Sequence, residues 1–221
     1  MKKMNDPDNK RFYSKVLTYF SFGLMFCALG LNLFSREGIV WVTTNPDYIE
    51  ALYVIPFVTY AIFFSMMREC CMIGLQVMKK TKIISYIIVG ITVLNFFLNM
   101  LLVPSMGMYG AALSTMIVQV ISWLACYVFA QKYYAIPYEL TKVWKVLVIG
   151  TLLYFVGTVF NETAIWISVL VKLVILVCYP FLLYKWHFYD KNEENNLKGA
   201  WNKWSDLKRL KENVKNVKFR M

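Results

Sequence analysis

Six long apolar stretches run along the chain, and short segments with charges, prolines or glycines separate them. Each has roughly 20 residues, the length that an α-helix needs to cross a hydrocarbon core of about 30 Å. A cleavable signal peptide would account for one such stretch, not for six. The pattern therefore predicts an all-α integral membrane protein with six transmembrane helices, at residues 16–34, 48–67, 83–103, 108–130, 143–160 and 164–184.

The composition supports this class of protein. Hydrophobic residues make up 59% of the 221 residues, and the mean hydropathy is +0.50. Soluble domains have an apolar share of about 45–50%. We expect residues 1–15 to be a cytoplasmic loop or tail, 16–185 to be the membrane domain, and 186–221 to be a basic cytoplasmic tail.

The net charge of +11 follows the predicted topology. All but two of the 24 lysines and arginines lie before the first span, in the loops at 68–82 and 131–145, or from Lys185 onward. The loops at 104–108 and 161–163 contain none. The positive-inside rule then places both termini in the cytoplasm. Because topology accounts for the charge, nucleic acid is not an expected partner.

Apolar residues recur in the basic tail at alternating steps of three and four. They are Leu207, Leu210, Val214, Val217 and Met221. This spacing is that of one helical face between lysines, which favours an amphipathic helix on the anionic inner leaflet. The alternative is a solvated, partly ordered tail.

Polar residues fall on one face of the third predicted helix. Ser85, Thr92, Asn95 and Asn99 are spaced by seven, three and four residues. Such a face either hydrogen-bonds to neighbouring helices or lines a water-filled cavity. The sequence favours neither alternative over the other.

Small residues open the fourth predicted helix at a spacing of four. Gly107, Gly110, Ala111 and Ser114 form ladders that let helix backbones approach closely, so we predict them to be helix-packing residues. Pro104 is predicted to lie between the third and fourth helices. Gln119 continues the polar face of the fourth helix.

Lys172 is the most unusual residue of the last span, because it stands well inside an apolar stretch. A lysine at the centre of a span costs about 2.5–3.5 kcal/mol and requires compensation. One interpretation is functional, as an anion contact or ion relay. The other is a charge that the span tolerates or that pairs with a helix absent from this chain. Arg36/Glu37 and Arg68/Glu69 flank the first two predicted spans as interfacial anchors, with polar-cavity lining as the alternative.

Motifs of soluble enzymes are absent from the sequence, which has no GxGxxG, P-loop or HExxH pattern and one histidine, His187. The five cysteines have no CxxC spacing and are interpreted as apolar packing residues. We therefore expect neither an enzyme nor a cofactor or metal site.

The stretch "NFFLNMLLVPSMGMYGAALST" at 95–115 reads N-x3-N-x2-L-x-P-x2-G-x2-GAA-x-ST. Together with "GLQVMKKTK" before it and "QKYYAIPYEL" after it, it resembles the C-terminal part of polysaccharide-biosynthesis oligosaccharide flippases. These belong to the multidrug, oligosaccharidyl-lipid and polysaccharide exporter superfamily. The segment "GLNLFSREGIVWVTTNPDYIEALYVIP" is also similar to the family, and the resemblance covers about residues 5–189.

The resemblance implies a two-lobe transporter that flips a lipid-linked oligosaccharide by alternating access in the bacterial cytoplasmic (inner) membrane. The implied substrate is an oligosaccharide on undecaprenyl diphosphate, whose diphosphate would meet basic cavity residues. The implied substrate-cavity candidates are Arg36, Arg68, Asn95, Asn99, Gln119 and Lys172.

Members of the family have about fourteen spans in two lobes and a final pair. The six spans here align with the last four of the second lobe plus that pair, so a missing N-terminal lobe is an expected partner. The chain is then a natural half, a gene fragment or a truncated record. Two rival functions are a non-transporting structural membrane module and a drug or metabolite exporter of the same superfamily.

Overall fold

The computed structural model describes residues 7–42, 46–162, 165–186 and 188, and within these residues it contains no strand. Six helices are long and apolar enough to cross a membrane, which confirms the prediction of an all-α membrane protein with six spans. Their bounds are α1 Pro7–Val42, α2 Ile55–Val77, α3 Thr81–Met106, α4 Met108–Tyr133, α5 Leu140–Thr158 and α6 Ile165–Lys185. Short 3-10 segments at Pro46–Tyr53 and Val159–Glu162 precede α2 and follow α5.

The first helix begins earlier than its apolar stretch. Residues 7–15 were predicted as part of a loop or tail, and they form the first turns of α1. The predicted tail at 186–221, including its apolar stripe, lies outside the described residues apart from Trp186 and Phe188.

Two charged pairs lie inside helices and do not flank them. α1 continues past Arg36 and Glu37, and α2 continues past Arg68 and Glu69. The helices continue because a helix extends as long as its backbone hydrogen bonds can form, whereas mean hydropathy falls at a charged residue. The flanking position relative to the membrane stays a prediction. Arg68 and Glu69 also pair with each other at 2.6 Å, which lowers the cost of keeping both charges in the helix.

A single residue connects α3 to α4. Pro104 was predicted between the helices, but it lies inside α3, which ends at Met106. A proline this close to the helix end removes only one hydrogen bond. Gly107 makes the turn with φ 57° and ψ −130°, in the left-handed half of φ/ψ space that favours glycine.

The helices pack in the order α5, α1, α2, α4 and α3. A reciprocal hydrogen bond between the Asn32 amide and the Thr59 hydroxyl, 2.8 Å from Nδ2 to Oγ1, sets the register of α1 against α2. Between α2 and α4, Phe64 and Trp123 pack with ring centroids 5.6 Å apart. α3 packs mainly on α4 and is the least buried of the spans, so most of its apolar surface faces outward.

The chain divides into two units, Met1–Tyr179 and Pro180–Met221. Within the first unit, α6 lies against α1, where the rings of Phe22 and Tyr179 stack at 5.6 Å. The second unit contains the end of α6, from Pro180 to Lys185, followed among the described residues by Trp186 and Phe188.

Candidate functional site

The polar face of α3 connects that helix to α4 through a chain of hydrogen bonds. The Asn99 amide donates to Oδ1 of Asn95, and the Ser114 hydroxyl lies 2.7 Å from Oδ1 of Asn99. Ser114 is fully buried. Asn99 thus serves helix packing, one of the two alternatives that the sequence left open.

The same face also lines a cavity of about 470 Å³ between α2, α3 and α4. The polar face of α3 therefore both hydrogen-bonds to α4, through Asn99, and lines a cavity. Four of the six predicted cavity residues meet here: Arg68, Asn95, Asn99 and Gln119. The other lining residues are Ile88, Ile91, Thr92, Phe96 and Val118. Ser85 is not among them, and its hydroxyl bonds to the carbonyl of Thr81 on its own helix.

Arg68 is held in this cavity by partners on two helices. Its Nη1 donates to the Ser122 hydroxyl of α4 at 3.2 Å, and its Nη2 donates to Oε1 of Glu69 at 2.6 Å. Its Nε is buried and has no hydrogen-bond partner among the described residues. The guanidinium is thus positioned by two contacts, and its buried Nε–H is left for a third.

Gln119 supplies the complementary atom. Its Oε1 is buried without a donor among the described residues, and it lines the same cavity as Arg68. A buried polar atom left unpartnered costs about 1–3 kcal/mol, which a ligand can recover. A donor and an acceptor in one cavity fit a ligand that carries both an anion or carbonyl oxygen and a hydroxyl group.

The remaining two predicted cavity residues, Arg36 and Lys172, line a second cavity of about 610 Å³. It lies among α1, the two 3-10 segments, α5 and α6. The six predicted residues therefore line two cavities.

Lys172 has its counter-charge within the chain. Its Nζ lies 2.5 Å from Oε1 of Glu37, and the Ser168 hydroxyl donates to the same oxygen at 2.8 Å. The lysine side chain is 1% exposed and the glutamate side chain 13%. The alternative of a partner on a helix absent from this chain was wrong, because α1 supplies the carboxylate.

The two cavities are separated along the α1–α2 pair. Asn32 lies level with Thr59, so Arg36 lies one turn further toward the α1–α2 connection, level with the start of α2. Arg68 lies roughly 13 residues along α2 from that level, or about 20 Å at 1.5 Å per residue.

The four predicted helix-packing residues have different roles. A Cβ on Gly110 would overlap the carbonyl group of Leu102, so α3 and α4 approach closely at this point. Gly107 has no neighbour within 4 Å of such a Cβ and serves the turn, because its φ is positive. The carbonyl of Ala111 accepts the Ser114 and Thr115 hydroxyls within α4.

Sequence reasoning missed Glu37 and Ser168 as partners of Lys172, and Ser122 as a partner of Arg68. Glu37 and Glu69 both lie inside helices. The signal for Glu37 was the unmet charge of Lys172. No group of three metal-binding side chains occurs within the described part of the chain.

No family model and no curated protein matches the chain. Among solved structures, the chain is similar to "Lipid II flippase MurJ, inward closed conformation", with a TM-score of 0.65 and 19% sequence identity. The similarity covers 83% of this chain and 41% of that chain, so this chain spans less than half the length of that protein. It establishes a flippase-like fold for the six-helix membrane domain.

Proposed function

We propose that this chain is the C-terminal portion of a transporter that flips a lipid-linked oligosaccharide across the bacterial cytoplasmic membrane by alternating access. The biological process is surface polysaccharide biosynthesis. The observation that carries the proposal is the cavity between α2, α3 and α4, where Arg68 and Gln119 hold unpartnered polar atoms. The likeness in fold to a flippase of lipid II supports it.

The chemistry of this cavity suits the two halves of such a substrate. The Arg68 guanidinium would bind a diphosphate oxygen through its Nε–H, since charge-assisted hydrogen bonds to phosphate are among the strongest in proteins. The Gln119 carbonyl oxygen would accept a sugar hydroxyl. We propose undecaprenyl diphosphate as the carrier, because the family resemblance of the sequence pattern at 95–115 implies it.

A second lobe is the proposed partner of this chain. The lining residues of the cavity come from three helices, and in a two-lobe transporter the facing wall belongs to the other lobe. Both termini would face the cytoplasm, where the basic loops and tail meet the anionic leaflet.

The test is a binding measurement on the full chain in nanodiscs. The probe is a fluorescent oligosaccharide on undecaprenyl diphosphate. Arg68→Gln should weaken binding about tenfold or more, since a charge-assisted hydrogen bond contributes about 1.5–3 kcal/mol. The affinity of Arg68→Lys for the probe should lie between those of the original chain and Arg68→Gln, because lysine keeps the charge and loses the guanidinium geometry.

Lys82→Gln is the matched control. Lys82 is an exposed cation in the first turn of α3, so this variant removes the same charge away from the cavity. Equal binding by the original chain and Arg68→Gln would overturn the proposal. If no variant binds the carrier, but the chain forms a stable complex with a separately produced N-terminal lobe, the chain is a structural module without transport of its own.

A further inference from the structure

The second cavity contains an arginine that has no counter-charge among the described side chains. Arg36, Glu37 and Lys172 lie together where α1 meets α6. Glu37 is committed to Lys172 and Ser168 through its Oε1. Arg36 makes no ion pair or hydrogen bond with any side chain that the structure describes, so the cavity keeps one positive charge.

The carboxylate next in sequence does not neutralise Arg36. Oε2 of Glu37 is buried and has no partner among the described residues, so the arginine does not contact it. An arginine inside a membrane domain calls for an anion, and the described side chains supply none.

The other polar groups of this cavity are neutral donors and acceptors. Tyr53, Tyr154 and Asn161 line it together with Arg36. Asn32 also lines it, but its amide is already bonded to Thr59. Tyr53 ends the 3-10 segment before α2 and Asn161 lies in the one after α5, so the cavity lies at the end of the membrane domain where these two connections meet.

We propose that this cavity is a second anion-binding site, which takes the phosphate group of an amphiphile at Arg36. The guanidinium geometry matches phosphate oxygens in pairs. A volume of about 610 Å³ exceeds what a phosphate ion fills, and the tyrosines offer aromatic surface to the group esterified to it. The site lies about 20 Å along the helix pair from Arg68 and does not rest on the transport proposal.

The test is calorimetric titration of the full chain in detergent with three probes. Dihexanoyl phosphatidic acid carries phosphate on a short amphiphile, dihexanoylglycerol has the same chains without phosphate, and inorganic phosphate has no chains. We expect the phosphatidic acid to bind and the diacylglycerol not to bind. Arg36→Gln should weaken binding of the phosphatidic acid about tenfold or more.

Two further variants make the result specific. Lys82→Gln removes an exposed charge and should bind the phosphatidic acid as the original chain does. Arg36→Lys keeps the charge, should weaken binding less than Arg36→Gln, and remains informative if Arg36→Gln fails to fold.

The probes also identify the source of the phosphate. Arg36-dependent binding of inorganic phosphate would support a free anion, and binding of phosphatidic acid alone would support a headgroup. Undiminished binding of phosphatidic acid by Arg36→Gln, or an equal loss in Lys82→Gln, would overturn the proposal.

Discussion

The Nζ of Lys172 lies 2.5 Å from Oε1 of Glu37, across 135 residues of sequence. The pair joins the last helix to the first, and both side chains are largely withdrawn from solvent. A lysine that the bilayer would otherwise penalise thereby gains a carboxylate and holds α6 against α1. The consequence is a specific dependence of stability on both partners.

Removing either partner alone should destabilise the chain. Lys172→Met leaves the Glu37 carboxylate buried and unpaired, and Glu37→Gln leaves the ammonium unpaired, each at a cost of about 3–5 kcal/mol. The double variant replaces both charges and should recover most of that loss. The measurement is the free energy of unfolding in bicelles by steric trapping. Additive losses in the double variant would show that the two charges do not stabilise each other.

Gly110 should tolerate no side chain where α4 crosses α3. In Gly110→Ala the new methyl group would meet the backbone of Leu102, 2.6 Å from its carbonyl carbon, and backbone cannot rotate away. We expect a loss of about 1–3 kcal/mol, as in other overpacked contacts. Gly90→Ala in α3 is the control, because a Cβ there meets nothing within 4 Å. Equal unfolding midpoints in the two variants would contradict the close approach.

The hydrogen bond between Ser114 and Asn99 should appear as a coupling energy. Asn99→Ala and Ser114→Ala each break the chain that joins α3 to α4. In a double-mutant cycle we expect a coupling of about 0.6 kcal/mol and at most about 1.7 kcal/mol, as for other hydrogen bonds between membrane helices. Ser85 serves as control, since its hydroxyl bonds within α3, and Ser85→Ala should show no coupling to Ser114→Ala.

Helix number and the polar face of α3 could be predicted from the sequence, because both follow from periodicity. Asn95 and Asn99 are four residues apart, which places them on one face whatever the tertiary structure. Helix ends were less predictable. The apolar stretch of α1 stops at residue 34, yet the helix continues to Val42 and carries Glu37 with it.

The partner of Lys172 depended on that helix end. Glu37 lies about 8 Å before the end of α1, and Lys172 lies about 10 Å after the start of α6, so the two depths match once both ends are known. A span that ends at residue 34 places Glu37 outside the membrane. The division of the candidates into two cavities was likewise beyond the sequence, because it depends on which helices pack together.

We propose that the phosphate-linked carrier occupies the cavity between α2, α3 and α4. Phe96 and Phe97 are a matched pair for testing it by photo-crosslinking. Phe96 lines the cavity and Phe97 does not, although their side chains are similarly exposed, at 67% and 62%. Each is replaced in turn by p-benzoylphenylalanine in the full chain, in membranes that contain labelled undecaprenyl-diphosphate oligosaccharide.

We expect irradiation to attach the carrier at position 96 and excess unlabelled carrier to compete it away, whereas position 97 should label only bulk phospholipid. Equal labelling at both positions, unaffected by competitor, would show that the carrier does not occupy this cavity.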